Sequence, residues 1–413
     1  MKKSIFFAAL MMSAFVLVGC DKGGTPQTDS TKLWPAQEDE SSSWGYFNGK
    51  DSKLAIRAKY SSAEPFSCGY ALVKEDQDWK FIDKSGTPVS NKMQIDEYSE
   101  PGTFYYDLSV ITVDQLKAFM DKDFKKVTKR DFRYLHEMTK DGLAAFQLKD
   151  ETTWGYCDKD GKDVIPAQYN DAGAFADGIA VVREDHEDGT HTYYIIDTKG
   201  NKLYSQKDKL ENLGEGRVSF SKDNGKMGML DKNGNDILPA TYASIDPFTD
   251  GLAKVRKFTE ARDGKYGYIN AKGEEVIETM YASGYQCYEG LIWVKKANNS
   301  NDGKWTLIDK KGTEKFELLK NQTPGIYGQY AYYHNGLALV KGENKYFYLD
   351  TKGEEKYSWK TGNSGGGEYN PEGGEEEYPY YPGEEYGAPA RKAVNPMRGT
   401  EYGPIFEDHM RKH

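Results

Sequence analysis

The stretch KMGMLDKNGNDILP, residues 226–239, is a short apolar run, then Asp-Lys-Asn-Gly, then a second apolar run closed by proline. TWGYCDKDGKDVIP (153–166), KYGYINAKGEEVIE (265–278) and KWTLIDKKGTEKFE (304–317) repeat it. The acidic or amide residue that ends each first run is Asn48, Asp83, Asp121, Asp158, Asp197, Asp231, Asn270, Asp309 or Asp350, at spacings of 34 to 41 residues. A period that regular is the signature of tandem units rather than of one large core.

Three residues after the anchor stands glycine in most units: Gly86, Gly161, Gly200, Gly234, Gly273, Gly312 and Gly353. Four residues before it stands an aromatic in most units: Trp44, Trp79, Trp154, Tyr193, Tyr266, Trp305 and Tyr346. The unit near 107–127 lacks both but keeps its spacing. A second phrase precedes each of these, as in DGLAAFQLK from Asp141, DGIAVVRED from Asp177, EGRVSFSKD from Glu215, DGLAKVRKF from Asp250, EGLIWVKKA from Glu289 and NGLALVKGE from Asn335. Glycine followed by apolar–polar alternation marks the entry of a strand with one buried face. Asp-x-x-Gly between strands is turn chemistry: the carboxylate caps the turn and glycine takes φ > 0. Proline after the third run is expected to end pairing. The glycine of Trp154-Gly155 is expected to let the ring lie across the neighbouring backbone.

The expected fold is therefore all-β, with tandem hairpin units of about 38 residues that stack because one hairpin is barely stable alone. An open, curved or superhelical array is favoured, since nine anchors exceed the usual four to eight blades of a closed propeller, which is the alternative.

Trp154-Gly155-Tyr156-Cys157-Asp158 through Ile165-Pro166 and Tyr169 resembles the WG-repeat family of bacterial envelope and secreted proteins. The resemblance recurs in phase over residues 44–359 and implies β-structure without a single assigned activity. The chain opens with Lys2 and Lys3, then an apolar run to Val18 that is short for a membrane span and reads as a signal peptide, residues 1–19. Its end, Leu17-Val18-Gly19-Cys20, resembles the bacterial lipoprotein signal. That resemblance implies cleavage before Cys20 and acylation there, palmitate included, which anchors the protein in the envelope. The outer membrane is favoured over the inner. Residues 20–43 read as a flexible tether. Residues 360–390 are rich in Gly, Glu, Tyr and Pro and are expected to be disordered. Within them Tyr378, Tyr380, Tyr381 and Tyr386 form a candidate binding segment, and residues 391–413 form a more basic tail.

The net charge of −10 and the lack of a basic stripe exclude nucleic acid as the expected partner. The turn around Asp231 faintly resembles a calcium loop but lacks its twelve-residue spacing and terminal Glu. His186 and His191 lie among carboxylates without the spacing of a zinc site. His136 and His334 have no evident nucleophile beside them. Cys68, Cys157 and Cys287 form no Cys-x-x-Cys and read as small buried hydrophobes. No nucleophile elbow, P-loop, dinucleotide fingerprint or His-Glu-x-x-His is present.

Trp44, Trp79, Trp154, Trp305, Asp83, Asp158, Asp231, Asp309, Gly86, Gly161, Gly234 and Gly312 are thus expected to be structural. No catalytic residue, metal or cofactor is expected. The function expected is a non-enzymatic, membrane-anchored scaffold for an envelope protein. Glycan or peptidoglycan binding through exposed aromatics is the alternative, and a propeller-type hydrolase comes after it.

Overall fold

The computed structural model describes residues 32–39, 41–51, 53–89, 101–257, 264–296, 303–325 and 331–361. They hold 31 strands and no helix, in small antiparallel sheets, none closed into a barrel. Each of the nine anchors marks one unit. Unit four is typical: Tyr134–Leu135, Ala144–Gln147, Trp154–Cys157 and Asp163–Tyr169 pair in sequence order. The glycine-led phrase is the second strand and the aromatic phrase the third. The two-residue first strand escapes periodicity because it is too short to alternate.

The second strand points alternate side chains to opposite faces of its sheet, and each face meets a different neighbour. Leu143 and Ala145 pack with Ala172, Phe175 and Val182 of unit five. Ala144 and Phe146 pack with Leu108 and Phe119 of unit three. Nine such interfaces join the described units in cyclic order, and the ninth joins the last unit to the first. There Trp34, Ala36 and Phe47 pack with Leu337, Leu339, Tyr348, Tyr357 and Trp359. The tandem all-β expectation holds. The array curves until its ends meet, so of the two arrangements expected the contacts fit the closed ring rather than the open array.

Three local expectations need correction. The first unit begins ahead of Trp44: Trp34–Gln37 forms a strand on Trp44–Phe47, so part of the expected tether belongs to the ring. Pro166 and Pro239 do not end their strands. They lie inside Asp163–Tyr169 and Asp236–Tyr242, fourth strands at the sheet edge where the register shifts and a missing N–H is tolerated. The glycine after the aromatic serves a different approach. A Cβ on Gly155 would lie 2.6 Å from the Ile165 carbonyl, and one on Gly267 would lie 2.7 Å from that of Ile277. The bulged fourth strand presses on this position.

The degenerate third unit keeps the hairpin Leu108–Val113 with Leu116–Asp121. Phe124 occupies the glycine position at φ 60°. Its ring packs 5.4 Å from Tyr70 and 5.7 Å from Phe81. Packing there offsets a left-handed conformation that costs about 1–2 kcal/mol.

Candidate functional site

The repeat carboxylates come first because they are the most regular polar feature. Asp231 Oδ1 accepts the amides of Asn233 (2.8 Å) and Asn235 (2.9 Å), and Asn235 Nδ2 donates to Oδ2 at 2.8 Å. The Gly234 amide donates to the Asp231 carbonyl at 3.0 Å, with φ 83°. Asp83, Asp158 and Asp309 hold the same pair of amides at i+2 and i+4, and Gly86, Gly161 and Gly312 the same positive φ. The Lys315 ammonium beside Asp309 holds its carboxyl down to about 2. Backbone amides occupy the oxygens that a calcium ion would need, and no cluster of three metal-ligating side chains occurs among the described residues.

The aromatic phrase forms the second layer. Trp154 stacks on Tyr134 at 5.9 Å and packs against His136 at 5.0 Å. Trp305 lies 5.0 Å from Tyr285 and Trp44 6.3 Å from Trp359, while the Lys74 ammonium sits over Trp79. The fully buried ring is the tyrosine two residues on, and its hydroxyl crosses to the next unit. Tyr46 donates to Glu64 O, Tyr156 to Gly173 O and Tyr268 to Tyr285 O, at 2.6–2.7 Å. A glycan platform needs exposed aromatic faces. The exposed large hydrophobics among the described residues are Val164, Leu203, Val276, Met280 and Leu319, none aromatic.

A third set escaped the sequence reading. In units four, five, seven and eight the acidic residue ahead of the second strand reaches the following unit's turn. The Gly178 amide donates to Asp141 Oδ1 at 3.0 Å, the Glu215 amide to Asp177 Oδ2 at 2.6 Å and the Gly290 amide to Asp250 Oδ2 at 2.5 Å. Glu289 accepts from Asn335 (2.6 Å) and Gly336 (2.8 Å). Asp177, Glu215, Asp250, Glu289 and Asn335 all have φ of 50–53°. Burial, with Asp177 second, raises the carboxyl of Glu215. The signal was present as Asp or Glu before Gly in phrase after phrase. Its reading as a bare strand entry hid the second role.

Between units eight and nine the Tyr288 and Tyr332 rings lie 4.5 Å apart. Burial first, then the Glu137 and Glu64 carboxylates, pushes the Tyr105 phenol up to about 12. His136 is buried, and burial pushes its imidazole down to about 4. Cys157 and Cys287 are free and buried, and burial pushes both thiols up to about 12. Neither is a thiolate nucleophile near neutral pH. His186 sits on an exposed loop and the exposed His191 opens the strand His191–Asp197, while His186 Nε2 meets the Thr192 hydroxyl at 2.8 Å. Cys20, Tyr378, Tyr380, Tyr381 and Tyr386 lie outside the described residues.

No curated protein matches the chain. Among solved structures, one described as the eukaryotic initiation factor aligns at 11% identity and TM-score 0.45, covering 73% of this chain and 90% of its own. Hsv2p of Kluyveromyces lactis aligns at 10% identity and TM-score 0.34, covering 58% and 94%. The dihydro-heme d1 dehydrogenase NirN aligns at 12% identity and TM-score 0.39, covering 81% and 80%. The family model described as "WG containing repeat" matches residues 44–79, 154–185, 227–257 and 266–299. Those four matches begin at the same position of units one, four, six and seven, and mark those stretches as WG repeats.

Proposed function

We propose that this protein is a membrane-anchored lipoprotein of the bacterial envelope whose ring of WG repeats is a non-enzymatic scaffold for an envelope protein. The observation that carries the reading is how the regular polar groups are used. The turn carboxylates hold their own backbone, and the Asp141, Asp177, Asp250 and Glu289 carboxylates hold the next unit. Such groups build a rigid frame, and the loops between second and third strands are left to vary, as 148–153 and 186–190 do. The anchor rests on Leu17-Val18-Gly19-Cys20 and its resemblance to the lipoprotein signal. Several acyl chains give stable attachment, each buried methylene contributing roughly 0.8 kcal/mol.

Two experiments test this. Mass spectrometry of the protein from membranes should find an acylated Cys20 at the amino terminus, and Cys20→Ala should release the protein into the soluble fraction. The lipid-free chain, with and without the residues after Trp359, is then used as bait in solubilised envelope. One protein retained in fixed stoichiometry supports the scaffold. Retention of polysaccharide alone overturns it in favour of glycan binding.

A further inference from the structure

The seam between units nine and one differs from the other eight. At those, the chain itself crosses the seam. Leu54–Tyr60 leads into Ser62–Ala63, Asp163–Tyr169 into Asp171–Ala172 and Asp236–Tyr242 into Ser244–Ile245, while Glu275–Gly284 belongs to units seven and eight at once. Units nine and one meet without a covalent link among the described residues. Their sheets can separate there with every strand connection intact.

Among the described residues the pairing at that seam also differs. In unit four the carbonyls of Ala145 and Gln147 accept the His136 and Arg133 amides at 2.9 Å. By register Pro35 corresponds to Ala145, since Pro35 faces Tyr46 as Ala145 faces Tyr156. Among the described residues unit one is a three-stranded sheet in which no strand pairs with the outer edge of Trp34–Gln37. Tyrosines of unit nine stand in: Tyr348 donates to Pro35 O at 2.7 Å and Tyr357 to Gln37 O at 2.9 Å. Trp34 Nε1 donates to His334 O at 2.8 Å, and the Lys360 amide to Asp39 Oδ1 at 2.7 Å. Pro35 has no N–H to offer an incoming strand. A cavity of about 20 Å³, lined by Trp34, Pro35, Tyr332, Leu337, Leu339 and Tyr348, remains where the packing stops short. It is large enough for about one water.

We propose that residues 33–39 are a releasable clasp: the ring opens at the seam between units nine and one, and load carried along the chain from Cys20 reaches this strand first. The opening follows from the connectivity. The load path rests on the anchored reading, so the tests use unlipidated protein and are independent of it.

Hydrogen exchange on the full mature chain carrying Cys20→Ala reads the opening. Amides of Trp34–Gln37 and Leu337–Lys341 are expected to exchange faster than those of Ala144–Gln147 and Ile179–Asp185. Tyr348→Phe with Tyr357→Phe should speed the first group on the order of tenfold, as loss of two modest hydrogen bonds implies. Tyr156→Phe, which cuts the equivalent bond between units four and five, should leave units one and nine unchanged. Equal exchange at both seams in the parent, or equal acceleration everywhere in the double variant, overturns the proposal. The load path is read by pulling between handles at position 20 and in the 186–190 loop. A first extension of roughly 35–40 Å, the length of residues 33–43 at about 3.4 Å each, is expected before any unit unfolds. A first event of whole-unit length contradicts it.

Discussion

The Tyr348 hydroxyl donates to the Pro35 carbonyl at 2.7 Å, across 313 residues of chain. The phenol at the same position of unit four, Tyr156, donates to Gly173 at a sequence separation of 17. One side chain does the same work between neighbours and between the two ends of the chain, which is how a linear repeat becomes a ring.

Trp34→Ala should therefore cost more than its place in a short terminal strand suggests. Trp34 is 4% exposed and belongs to the closing cluster. Large-to-small changes of this kind cost about 3–5 kcal/mol. Urea unfolding of the variant should fall by that amount, and Trp79→Ala, at a half-exposed position, by clearly less.

Gly234→Val should destabilise by two separate routes. The residue has φ 83°, and a Cβ there runs into the Tyr204 ring. Gly178→Ala meets the same backbone penalty, about 1–3 kcal/mol, with open space around the new methyl. Thermal melts should rank Gly234→Val below Gly178→Ala and both below the parent. Equal melting temperatures for Gly234→Val and the parent contradict the turn.

Much of this was legible because it is local. Asp231 and Gly234 sit three residues apart, so turn chemistry shows without knowledge of neighbours. Trp154-Gly155 gave the unit but not the reason for its glycine, since the Ile165 carbonyl approaches across a bulge that spacing does not reveal. Ring closure was illegible for a similar reason. Trp34–Gln37 carries no anchor phrase, Pro35 argues locally against a strand, and its partners come from the far end of the chain. The Asp177 and Asp250 links to the next unit show locally only as an acidic residue before glycine, because the amide each one holds lies one repeat period away.

Acid should weaken the fold in two windows. Burial pushes His136 from its ordinary value near 6.5 to about 4. Its folded pKa is depressed, so the stability it contributes is present above about 6.5 and declines as pH falls to 4, by on the order of 3 kcal/mol. Asp309, held at about 2 by Lys315, contributes stability above about 4 that is lost as pH falls toward 2. Glu215, raised by burial, acts with the opposite sign. Urea midpoints measured from pH 7 to 4 should decline in the parent and flatten in His136→Phe.

Cys157 and Cys287 should resist alkylation. With both thiols pushed up to about 12 by burial, N-ethylmaleimide at pH 8 is expected to leave them unmodified in the folded protein and to label both in urea, as peptide mass mapping would show. Labelling of either in the native state contradicts its burial.

The most direct test of the ring is a distance. Spin labels at Lys50 and Lys352, exposed turn positions of units one and nine, are compared by pulsed electron resonance with labels at Asp160 and Lys199, their counterparts in the adjacent units four and five. A closed ring gives the two pairs similar, narrow distance distributions. A long or broad distribution for the first pair alone would mean that the ends do not meet, and would contradict the account.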